Sequence, residues 1–326
     1  MQEVLLRSWR NLKMKNKNTY CYYLWEEAFI NDKGNVYACC HQKSGILGNI
    51  YKNTLEEILH FSKIKKLRQL SIHGKLRCHK NCTLLGERKF EDPPIENGFK
   101  YKMLTGLKIL FGEGCNINCV MCWQNSKKKR ELDPEIIIKN IDLSSVKQID
   151  MQGGEPLYLK SARKYFDHCI SKNKQVSFLS NGTIMSENWA EKIAQYSRAI
   201  SISLNAATKV THEQINLGSK WETVLDNIQL LQKAKSKIDS KLEIAGHMTI
   251  ITANLQEIPI FIDKYKEFGF DRIKFGFDLR VPIYLKLHPT IKKELADKVT
   301  TSLKQQPNNK AINIERLKYL GLVKNF

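Results

Sequence analysis

The sequence predicts an α/β protein: a partial (βα)6 barrel, TIM-like, with a small N-terminal cysteine-rich module made of a hairpin and a helix. Strand and helix patterns alternate in series through residues 105–285, which is typical of a parallel sheet with crossover helices. About six such pairs occur, too few to close a TIM barrel. A group of cysteines between residues 21 and 82 precedes this region and indicates a separate module.

Five segments follow from these patterns. A basic N-terminal segment covers 1–19, the cysteine-rich module 20–90 and a polar, Pro-containing linker 91–104. The barrel covers 105–285, and a helical extension follows over 286–326. The chain of 326 residues exceeds one average domain, and its 42% hydrophobic content can fill a core.

The elements of the barrel region are predicted from their periodicity. Asp133 before Pro134 and Ser186 before Glu187 are typical helix starts. Strands are expected at 107–111, 147–151, 175–179, 199–204, 242–250 and 272–277, and helices from 133 and over 160–171, 187–195, 221–234 and 255–268.

Charge and cysteine content limit the setting and the partners. The 53 Lys and Arg residues against 33 Asp and Glu give a net charge of +20, which favours acidic partners, although a merely Lys-rich surface explains it equally well. The run Lys127 to Arg130 is either a docking patch or a solvated loop. Nine cysteines without a secretory signal favour metal ligation in a reducing compartment, and no stretch is apolar enough for a membrane span. We therefore expect a cytoplasmic protein.

Three cysteines fall within eight residues after the first barrel strand, Cys115, Cys119 and Cys122 in FGEGCNINCVMCW. Structural zinc takes four ligands, and iron–sulfur cubanes are usually held by four cysteines. A C-x3-C-x2-C motif without a fourth ligand therefore predicts an open metal position. Half of a zinc site and buried apolar thiols are the alternatives.

A glycine pair follows the second predicted strand, in Gln152-Gly153-Gly154-Glu155-Pro156. By itself this is compatible with a plain turn. Together, the two motifs resemble the signature of the radical SAM superfamily. The resemblance implies a 4Fe–4S cluster on Cys115, Cys119 and Cys122, with S-adenosylmethionine (SAM) bound at its free iron and its amino group contacted by Gly153, Gly154, Glu155 and Pro156.

Further segments resemble this family, with departures. Ser180-Asn181-Gly182 is similar to its turn near SAM, and Ser203-Leu204-Asn205 is similar to its Ser-Leu-Asp element with Asn replacing Asp. The resemblance therefore implies that Asn181, Ser203 and Asn205 contact SAM. Residues 214–216 lack the Arg that relatives often use for the SAM carboxylate, and Met121 stands where relatives often carry an aromatic residue.

The cysteine-rich module predicts a second centre. A hairpin is expected around Asp32-Lys33-Gly34, followed by a helix from Thr54 to Leu70 with Glu57 completing a capping box. The module is similar to SPASM/Twitch auxiliary modules, although these usually follow the radical SAM domain. The resemblance implies a second 4Fe–4S cluster, and a four-cysteine zinc site is the alternative. Its expected ligands are Cys21, Cys39, Cys78 and Cys82, with Cys40 as a packed neighbour and His41, His73 and His79 as less favoured substitutes.

The later strands alternate apolar and polar residues, so one side of the sheet is apolar and the other polar. A closed TIM barrel fills its interior with Val, Ile and Leu, whereas this interior would be polar. We therefore expect a substrate cavity. Its candidate catalytic or contact residues are Glu243, His247, Thr249, Lys274 and Asp278, although an ion pair between Glu243 and Lys274 is an equally good interpretation.

The resemblance implies an oxidoreductase that cleaves SAM reductively to a 5′-deoxyadenosyl radical and abstracts hydrogen from an unactivated carbon, with the auxiliary cluster assisting oxidation. An acidic electron donor such as flavodoxin or ferredoxin is the expected partner. The substrate is either a small, carbohydrate-like molecule, slightly favoured because no leader-recognition domain is evident, or a ribosomal peptide side chain. A non-catalytic Fe–S or zinc protein that binds nucleic acid is the alternative of another class, weakened by the lack of aromatic residues among the basic ones.

Overall fold

The computed structural model of the chain describes residues 21–76, 78, 82, 98–124, 126–128, 130–306 and 309–323. The predicted segment 1–19 and the first half of the predicted linker, 91–97, lie outside these residues, and the proposed domain limits stay predictions. The described residues form two compact units. Unit 1 runs from Cys21 to Leu110 and includes Leu132–Asp150, and unit 2 comprises Phe111–Glu131 and the residues from Met151 onward.

The helices in chain order are α1 (Tyr23–Glu26), α2 (Leu55–Leu59), α3 (Ser62–Ile72), α4 (Pro134–Asn140), α5 (Lys160–Ser171), α6 (Glu187–Tyr196), α7 (Lys209–Ile215), α8 (Trp221–Lys237), α9 (Ile258–Lys264), α10 (Val281–Leu287), α11 (Pro289–Gln305) and α12 (Glu315–Leu320). The strands are β1 (Glu27–Ile30), β2 (Asn35–Tyr37), β3 (Gly48–Asn49), β4 (Gly106–Leu110), β5 (Asn118–Cys119), β6 (Gln148–Gln152), β7 (Val176–Ser180), β8 (Ser197–Ser203), β9 (Asn216–Leu217), β10 (Glu243–Ile250), β11 (Arg272–Phe277) and β12 (Ile312–Asn313).

Unit 1 is built on the predicted hairpin. Strands β1 and β2 pair antiparallel, with Phe29 opposite Tyr37. Gly34 makes the turn at φ 76°, a conformation that costs glycine little. Strand β4 pairs parallel with the other side of β1, and β3 pairs antiparallel with β2. The predicted hairpin is therefore confirmed.

The helix predicted over 54–70 begins correctly but is not continuous. Thr54 Oγ1 accepts from the Glu57 backbone N–H at 3.2 Å, and Glu57 Oε2 accepts from the Thr54 N–H at 2.9 Å, which completes the capping box. The chain then leaves the helix after Leu59 and starts α3 at Ser62. The apolar periodicity continues across this break because both helices bury apolar side chains, those of Leu55, Ile58, Leu59 and Ile64.

Unit 2 contains a parallel sheet in the order β12-β11-β10-β8-β7. The apolar side of its strands faces helices. Ile202 of β8 lies beside Val224 of α8 at the site of Gly182. The predicted α/β class with largely parallel strands is thus confirmed. The helix expected over 255–268 is a 3-10 turn (Thr252–Glu257) followed by α9, and α7 and the two-residue strands β5 and β9 were not predicted.

Candidate metal centres and the glycine shelf

Four thiols of unit 1 line one cavity. They belong to Cys21, Cys39, Cys78 and Cys82, and the cavity has a volume of about 390 Å³. Its other walls are mainly apolar side chains, among them Tyr23, Leu24, Leu67, Leu70 and Leu76. The cysteines are separated by up to 61 positions in the sequence. Only the folding of the hairpin and of helices α1 and α3 gathers them at this auxiliary cavity.

The environment of these thiols opposes a free thiolate. Burial raises the pKa of Cys21 to about 12, and the other thiolates of the cavity raise it further. Burial likewise raises the pKa of Cys39 to about 11. The backbone of Cys21 is held by Ser71, whose Oγ accepts its N–H at 2.7 Å. Such thiols favour the protonated form until a cation shares their charge, which suits a metal-binding set.

Cys40 differs from its neighbour. It packs against Phe29, Tyr37 and Leu110 and is not among the residues that line the auxiliary cavity. Of the substitute ligands, His41 lines the cavity. The Nδ1 atom of His73 instead lies 2.7 Å from the carbonyl oxygen of Gln69. His79 lies outside the described residues. The geometry thus agrees with the preference for Cys39 over Cys40.

In unit 2, Cys115, Cys119 and Cys122 lie in one loop, the cluster loop (Phe111–Glu131). The Cys115 N–H bonds to Ser126 O at 3.1 Å, and the Cys122 N–H bonds to Cys119 O at 3.0 Å. Cys119 is half-buried and Cys122 is exposed. Burial raises the pKa of Cys119 to about 12, and the thiolates of Cys115 and Cys122 add to this effect. Burial is also the main cause that raises the pKa of Cys115, and the Cys122 thiolate adds to it.

A two-stranded ribbon anchors the cluster loop. Strand β5 pairs antiparallel with β9, with Cys119 opposite Asn216, and the Val120 N–H bonds to Ile215 O at 2.9 Å. Met121 packs against Ala206, Ile215 and Ile251. Sequence reasoning missed this ribbon because each strand has only two residues. The one available signal was the polar pair Asn116 and Asn118 between the cysteines, which is typical of a structured turn.

The glycine pair forms a shelf beside the cluster loop. The Gly154 N–H bonds to Gly112 O at 2.9 Å, and the Glu155 N–H bonds to Gly114 O at 3.0 Å. A Cβ atom on Gly154 would lie 2.0 Å from Gly114 O, so only glycine fits there. Gly114 directly precedes Cys115. The glycine shelf (Gly153–Gly154) and the cluster loop are therefore in backbone contact.

Glu155 turns away from the glycine shelf into the protein. It is fully buried, and its carboxylate accepts from Asn181 N–H at 2.6 Å, Ser180 Oγ at 2.9 Å and Leu157 N–H at 3.1 Å. Burial raises its pKa to about 7, and the three donors oppose that rise. The Glu155 side chain thus ties the shelf to the turn after β7, and its contact with a ligand stays a prediction that these hydrogen bonds do not favour.

Asn181 links that turn back to the cluster loop. Its Nδ2 atom donates to Cys115 Sγ at 3.5 Å and to Asn116 Oδ1 at 3.0 Å. Its Oδ1 atom accepts from the Thr183 N–H and hydroxyl, at 2.9 and 2.7 Å. Hydrogen bonds thus connect a predicted cluster ligand, the turn and the glycine shelf through Glu155.

Asn205 has partners inside the protein. It adopts φ 61° and is 4% exposed. Its Nδ2 atom donates to Asn216 Oδ1 at 3.0 Å, and its Oδ1 atom accepts from Thr249 N–H at 2.9 Å. The Nδ2 atom of Asn216 also donates to Leu204 O at 3.1 Å. These amides support the end of β8, and the predicted SAM contacts of Asn205 and Ser203 stay predictions.

The polar side of the sheet carries the candidate catalytic residues, but Glu243 pairs with Arg272 and not with Lys274, the ion pair that was the alternative interpretation of the sequence. The register places Lys274 opposite His247, and the Glu243 carboxylate lies 3.3 Å from Arg272 Nη1 instead. Asp278 is bonded to Arg280 Nε at 2.7 Å, which lowers its pKa. The spacing of the sequence alone could not set this register, which depends on where β11 meets β10.

The basic run after the cysteines is only partly described, because Lys129 lies outside the described residues. Lys128 Nζ lies 2.5 Å from Glu113 Oε1, so the positive charge of Lys128 forms an ion pair within the cluster loop. Beside it, Val120 and Trp123 are exposed, Trp123 to 76%.

Two further findings concern the described residues alone. Among them, no three His, Cys, Asp or Glu side chains are already close enough to hold a single metal ion. Within the same part of the chain, no helix is both long and apolar enough to cross a membrane.

Comparison with known families agrees with both centres. The model of the radical SAM superfamily matches residues 109–247, and the model of the SPASM iron-sulfur cluster-binding domain matches residues 21–83. The SPASM match therefore precedes the radical SAM match, as predicted from the cysteine pattern. Both the 4Fe–4S centre with SAM and the additional iron–sulfur centre are cofactors of these domains.

Curated relatives match over part of their length. A probable GTP 3′,8-cyclase of Methanocaldococcus jannaschii is 26% identical over 175 residues, 51% of this chain and 56% of the relative. The antilisterial bacteriocin subtilosin biosynthesis protein AlbA of Bacillus subtilis is 25% identical over 162 residues, which are 48% of this chain and 35% of the relative. The chain thus spans about half or less of the curated relatives it matches. Among solved structures, Streptococcus suis SuiB bound to precursor peptide SuiA is similar with TM-score 0.49 and 15% identity, over 94% of this chain and 75% of that one.

Proposed function

We infer that this chain, which belongs to the radical SAM superfamily and carries a SPASM domain ahead of its radical SAM domain, is an enzyme that cleaves SAM reductively and oxidises a peptide or protein side chain. The observation that carries the enzymatic part is the backbone contact between the glycine shelf and the cluster loop, since Gly154 lies against Gly114. A structural zinc site has no use for such a shelf.

The residues of unit 2 fit the implied group. Cys115, Cys119 and Cys122 would hold a 4Fe–4S cluster, and the glycine shelf beside them offers backbone that a ligand can approach closely. When bound, the cluster and SAM supply a reducing electron and a 5′-deoxyadenosyl radical that removes a hydrogen atom from a carbon, leaving methionine and 5′-deoxyadenosine.

The chain's own residues position and protect this chemistry. Asn181 donates to Cys115 Sγ, a bond that orients the thiolate and partly neutralises its charge. Glu155 fixes the shelf against the turn after β7, so the shelf is rigid before any ligand binds. The ribbon of β5 and β9 holds the side of the loop that carries Cys119.

The SPASM domain and the bacteriocin relative favour a peptide substrate over the small carbohydrate-like molecule that the sequence alone slightly favoured. The second candidate is a nucleotide-like small molecule, which the similarity to a probable GTP cyclase favours. In unit 1, Cys21, Cys39, Cys78 and Cys82 would hold and saturate an auxiliary cluster, which would supply a one-electron acceptor for a substrate radical.

An acidic electron donor fits the surface near the cluster loop. The net charge of +20 attracts an acidic protein, and the exposed Trp123 and Val120 offer apolar contact area close to Cys122.

The decisive measurement is 5′-deoxyadenosine formation by protein reconstituted anaerobically with iron and sulfide and incubated with SAM and dithionite. We expect the product from the wild type and from Cys169→Ala, a buried cysteine of α5 that belongs to neither motif, and none from the triple variant Cys115→Ala, Cys119→Ala, Cys122→Ala. A reconstituted wild type that binds iron but forms no 5′-deoxyadenosine would instead favour a non-catalytic iron–sulfur protein.

A further inference from the structure

Helix α3 of unit 1 borders an open groove with a volume of about 620 Å³. We call it the basic groove, and its lining residues are Lys66, Gln69, Leu70, Ile72, His73 and Lys75. Positions three, four and seven residues after Lys66 lie on the same face of a helix as Lys66 itself, which explains why Gln69, Leu70 and His73 share the groove with it. The volume is within the range of pockets that take ligands.

The end of α3 brings Lys75 back beside the helix. Gly74 adopts φ 65°, and its N–H bonds to Ser71 O at 2.9 Å. The Lys75 N–H bonds to Leu70 O at 2.7 Å. This is the backbone pattern with which a glycine ends a helix, and it fixes Lys75 next to Leu70.

The lysines of the basic groove have no anionic partner in the protein. Helix α3 carries four basic residues and no acidic one. Within the part of the chain that the structure describes, the ammonium groups of Lys66 and Lys75 form neither an ion pair nor a hydrogen bond. Lys108 of the same unit, by contrast, pairs with Glu27 at 3.0 Å. The two groove lysines are therefore available to carboxylates from another molecule.

The floor of the basic groove is apolar. It consists of Leu70 and Ile72, which are half-buried, whereas Lys66, Gln69 and Lys75 are exposed. The Gln69 amide adds hydrogen-bonding groups beside the ammoniums. A groove of this composition suits a ligand that combines carboxylates with an apolar side chain, because each kind of group then meets its complement.

The basic groove adjoins the auxiliary cavity. Leu70 and Lys75 line both of them. A segment bound in the groove therefore lies one side chain away from the cavity that gathers Cys21, Cys39, Cys78 and Cys82. The groove thus borders a candidate metal centre of the enzyme, where a substrate segment has a use.

We propose that the basic groove binds an acidic segment of the peptide substrate, with carboxylates at Lys66 and Lys75 and an apolar side chain on the floor. This inference rests on the proposed function, because the segment belongs to the peptide that the enzyme modifies. An acidic redox protein is the other partner that the charge would attract. The concave shape favours the peptide, since an extended segment can place single side chains into a groove.

The test is fluorescence anisotropy of three dye-labelled peptides with the reconstituted protein, in the absence of SAM and reductant. The probes are acetyl-Glu-Leu-Glu-Glu-amide, its neutral match acetyl-Gln-Leu-Gln-Gln-amide and its polar match acetyl-Glu-Ser-Glu-Glu-amide. We expect the first to bind at least about tenfold more tightly than the neutral match, from two ion pairs in a groove. It should bind about fivefold more tightly than the polar match, from partial burial of the leucine.

Three double variants locate the binding. Lys66→Gln with Lys75→Gln should abolish the preference for the acidic probe over the neutral match. Lys66→Arg with Lys75→Arg should keep it, because the charges remain. Lys65→Gln with Lys139→Gln should also keep it. This control removes two exposed lysines of unit 1 outside the groove, so its net charge equals that of the first variant.

Each outcome decides the inference. The expected ranking of probes and variants upholds it. Equal binding of the acidic probe and either of its matches, or no binding of any probe, overturns it. An equal loss of preference in the first variant and the control also overturns it, since general charge attraction would then explain binding. If oxidised flavodoxin, tested as an acidic redox protein, loses affinity in the first variant while the peptides show no preference, the groove serves a redox partner instead.

Failure of this inference is distinct from failure of the proposed function. Wild-type protein that forms 5′-deoxyadenosine from SAM but shows no probe preference fails this inference alone. Protein that shows the preference but forms no 5′-deoxyadenosine fails the proposed function. The thermal midpoint and the iron content of each variant verify that unit 1 is folded, and the arginine variant keeps the test decisive if the glutamine variant loses its iron.

Discussion

The two thiol sites of this protein are assembled by opposite means. In unit 2, Cys115, Cys119 and Cys122 come from eight consecutive residues, held by loop hydrogen bonds and by the glycine shelf. In unit 1, four thiols from residues 21 to 82 meet only because a hairpin and two helices fold around one cavity. Disturbing the cluster loop should therefore act through local backbone geometry, and disturbing the auxiliary cavity should act through the fold of unit 1.

The largest effect is expected at Gly154. In Gly154→Ala, the new Cβ would lie 2.0 Å from Gly114 O and 2.3 Å from Glu113 O, so backbone must move. SAM affinity should fall by about 100-fold or more, because a shift of roughly 1 Å in a positioned site has costs of this order. Equilibrium binding of SAM to the reconstituted protein measures it.

Gly153→Ala is the matched control. Its Cβ would meet the flexible end of Leu159, at 2.6 Å from Cδ1, so a milder loss is expected. Equal affinities for the two variants would show that the contact with the cluster loop does not hold the shelf.

A smaller, roughly twofold effect is expected when the auxiliary cavity loses one thiol. Cys39→Ala should lower the iron content of the reconstituted protein from about eight to about four per chain, since one of two 4Fe–4S clusters is lost. Cys40→Ala should retain all the iron, because Cys40 packs on Phe29 and Tyr37 and does not line the cavity. Iron and acid-labile sulfide analysis measures both, and the opposite ranking would exchange the roles of these neighbours.

Glu155 gives a pH-dependent test confined to unit 2. Burial raises its folded pKa to about 7, above the usual value of 4.5, so its contribution is most favourable below pH 4.5 and is lost as pH rises through 7. The free energy of unfolding of the metal-free protein should therefore fall by at most about 3 kcal/mol between these limits from this group alone.

Urea denaturation at several pH values measures this slope. Glu155→Gln should flatten it and lower stability overall, because an amide nitrogen would face one of three donors. Glu187→Gln, an exposed glutamate at the start of α6, is the control that should leave the slope unchanged. An unchanged slope in Glu155→Gln would exclude this titration.

The smallest effect is expected at the helix cap of unit 1. Thr54→Ala removes a capping box and should cost about 1 kcal/mol. Ser186→Ala, which removes the cap of α6 in unit 2, should cost a similar amount. If the two thiol sites are assembled as described, only Thr54→Ala should make the auxiliary cavity lose iron at a lower temperature. Absorbance of the cluster, recorded during heating under anaerobic conditions, measures this loss.

Signals from residues close in sequence predicted much of the fold and of the candidate site. The C-x3-C-x2-C spacing, the glycine pair, the caps at Thr54 and Ser186 and the alternation along β8 and β10 each depend on residues close in sequence, and the structure has them where they were expected. The α/β class followed from their order.

The features that could not be predicted depend on contacts between residues that are distant in sequence. The ribbon joins Cys119 to Asn216, almost a hundred residues away, with strands too short to leave a periodic pattern. Glu243 meets Arg272 rather than Lys274 because strand register moves partners by whole residues. The inward turn of Glu155 likewise depends on Ser180 and Asn181, which a different strand supplies.

The contact at Gly154 is made between main-chain atoms, Gly114 O and the α-carbon that bears no substituent. Main-chain contacts are indifferent to which side chains surround them. Libraries that randomise the neighbouring positions should therefore yield many working variants, while the sequence diversity recovered at Gly154 itself should be close to none.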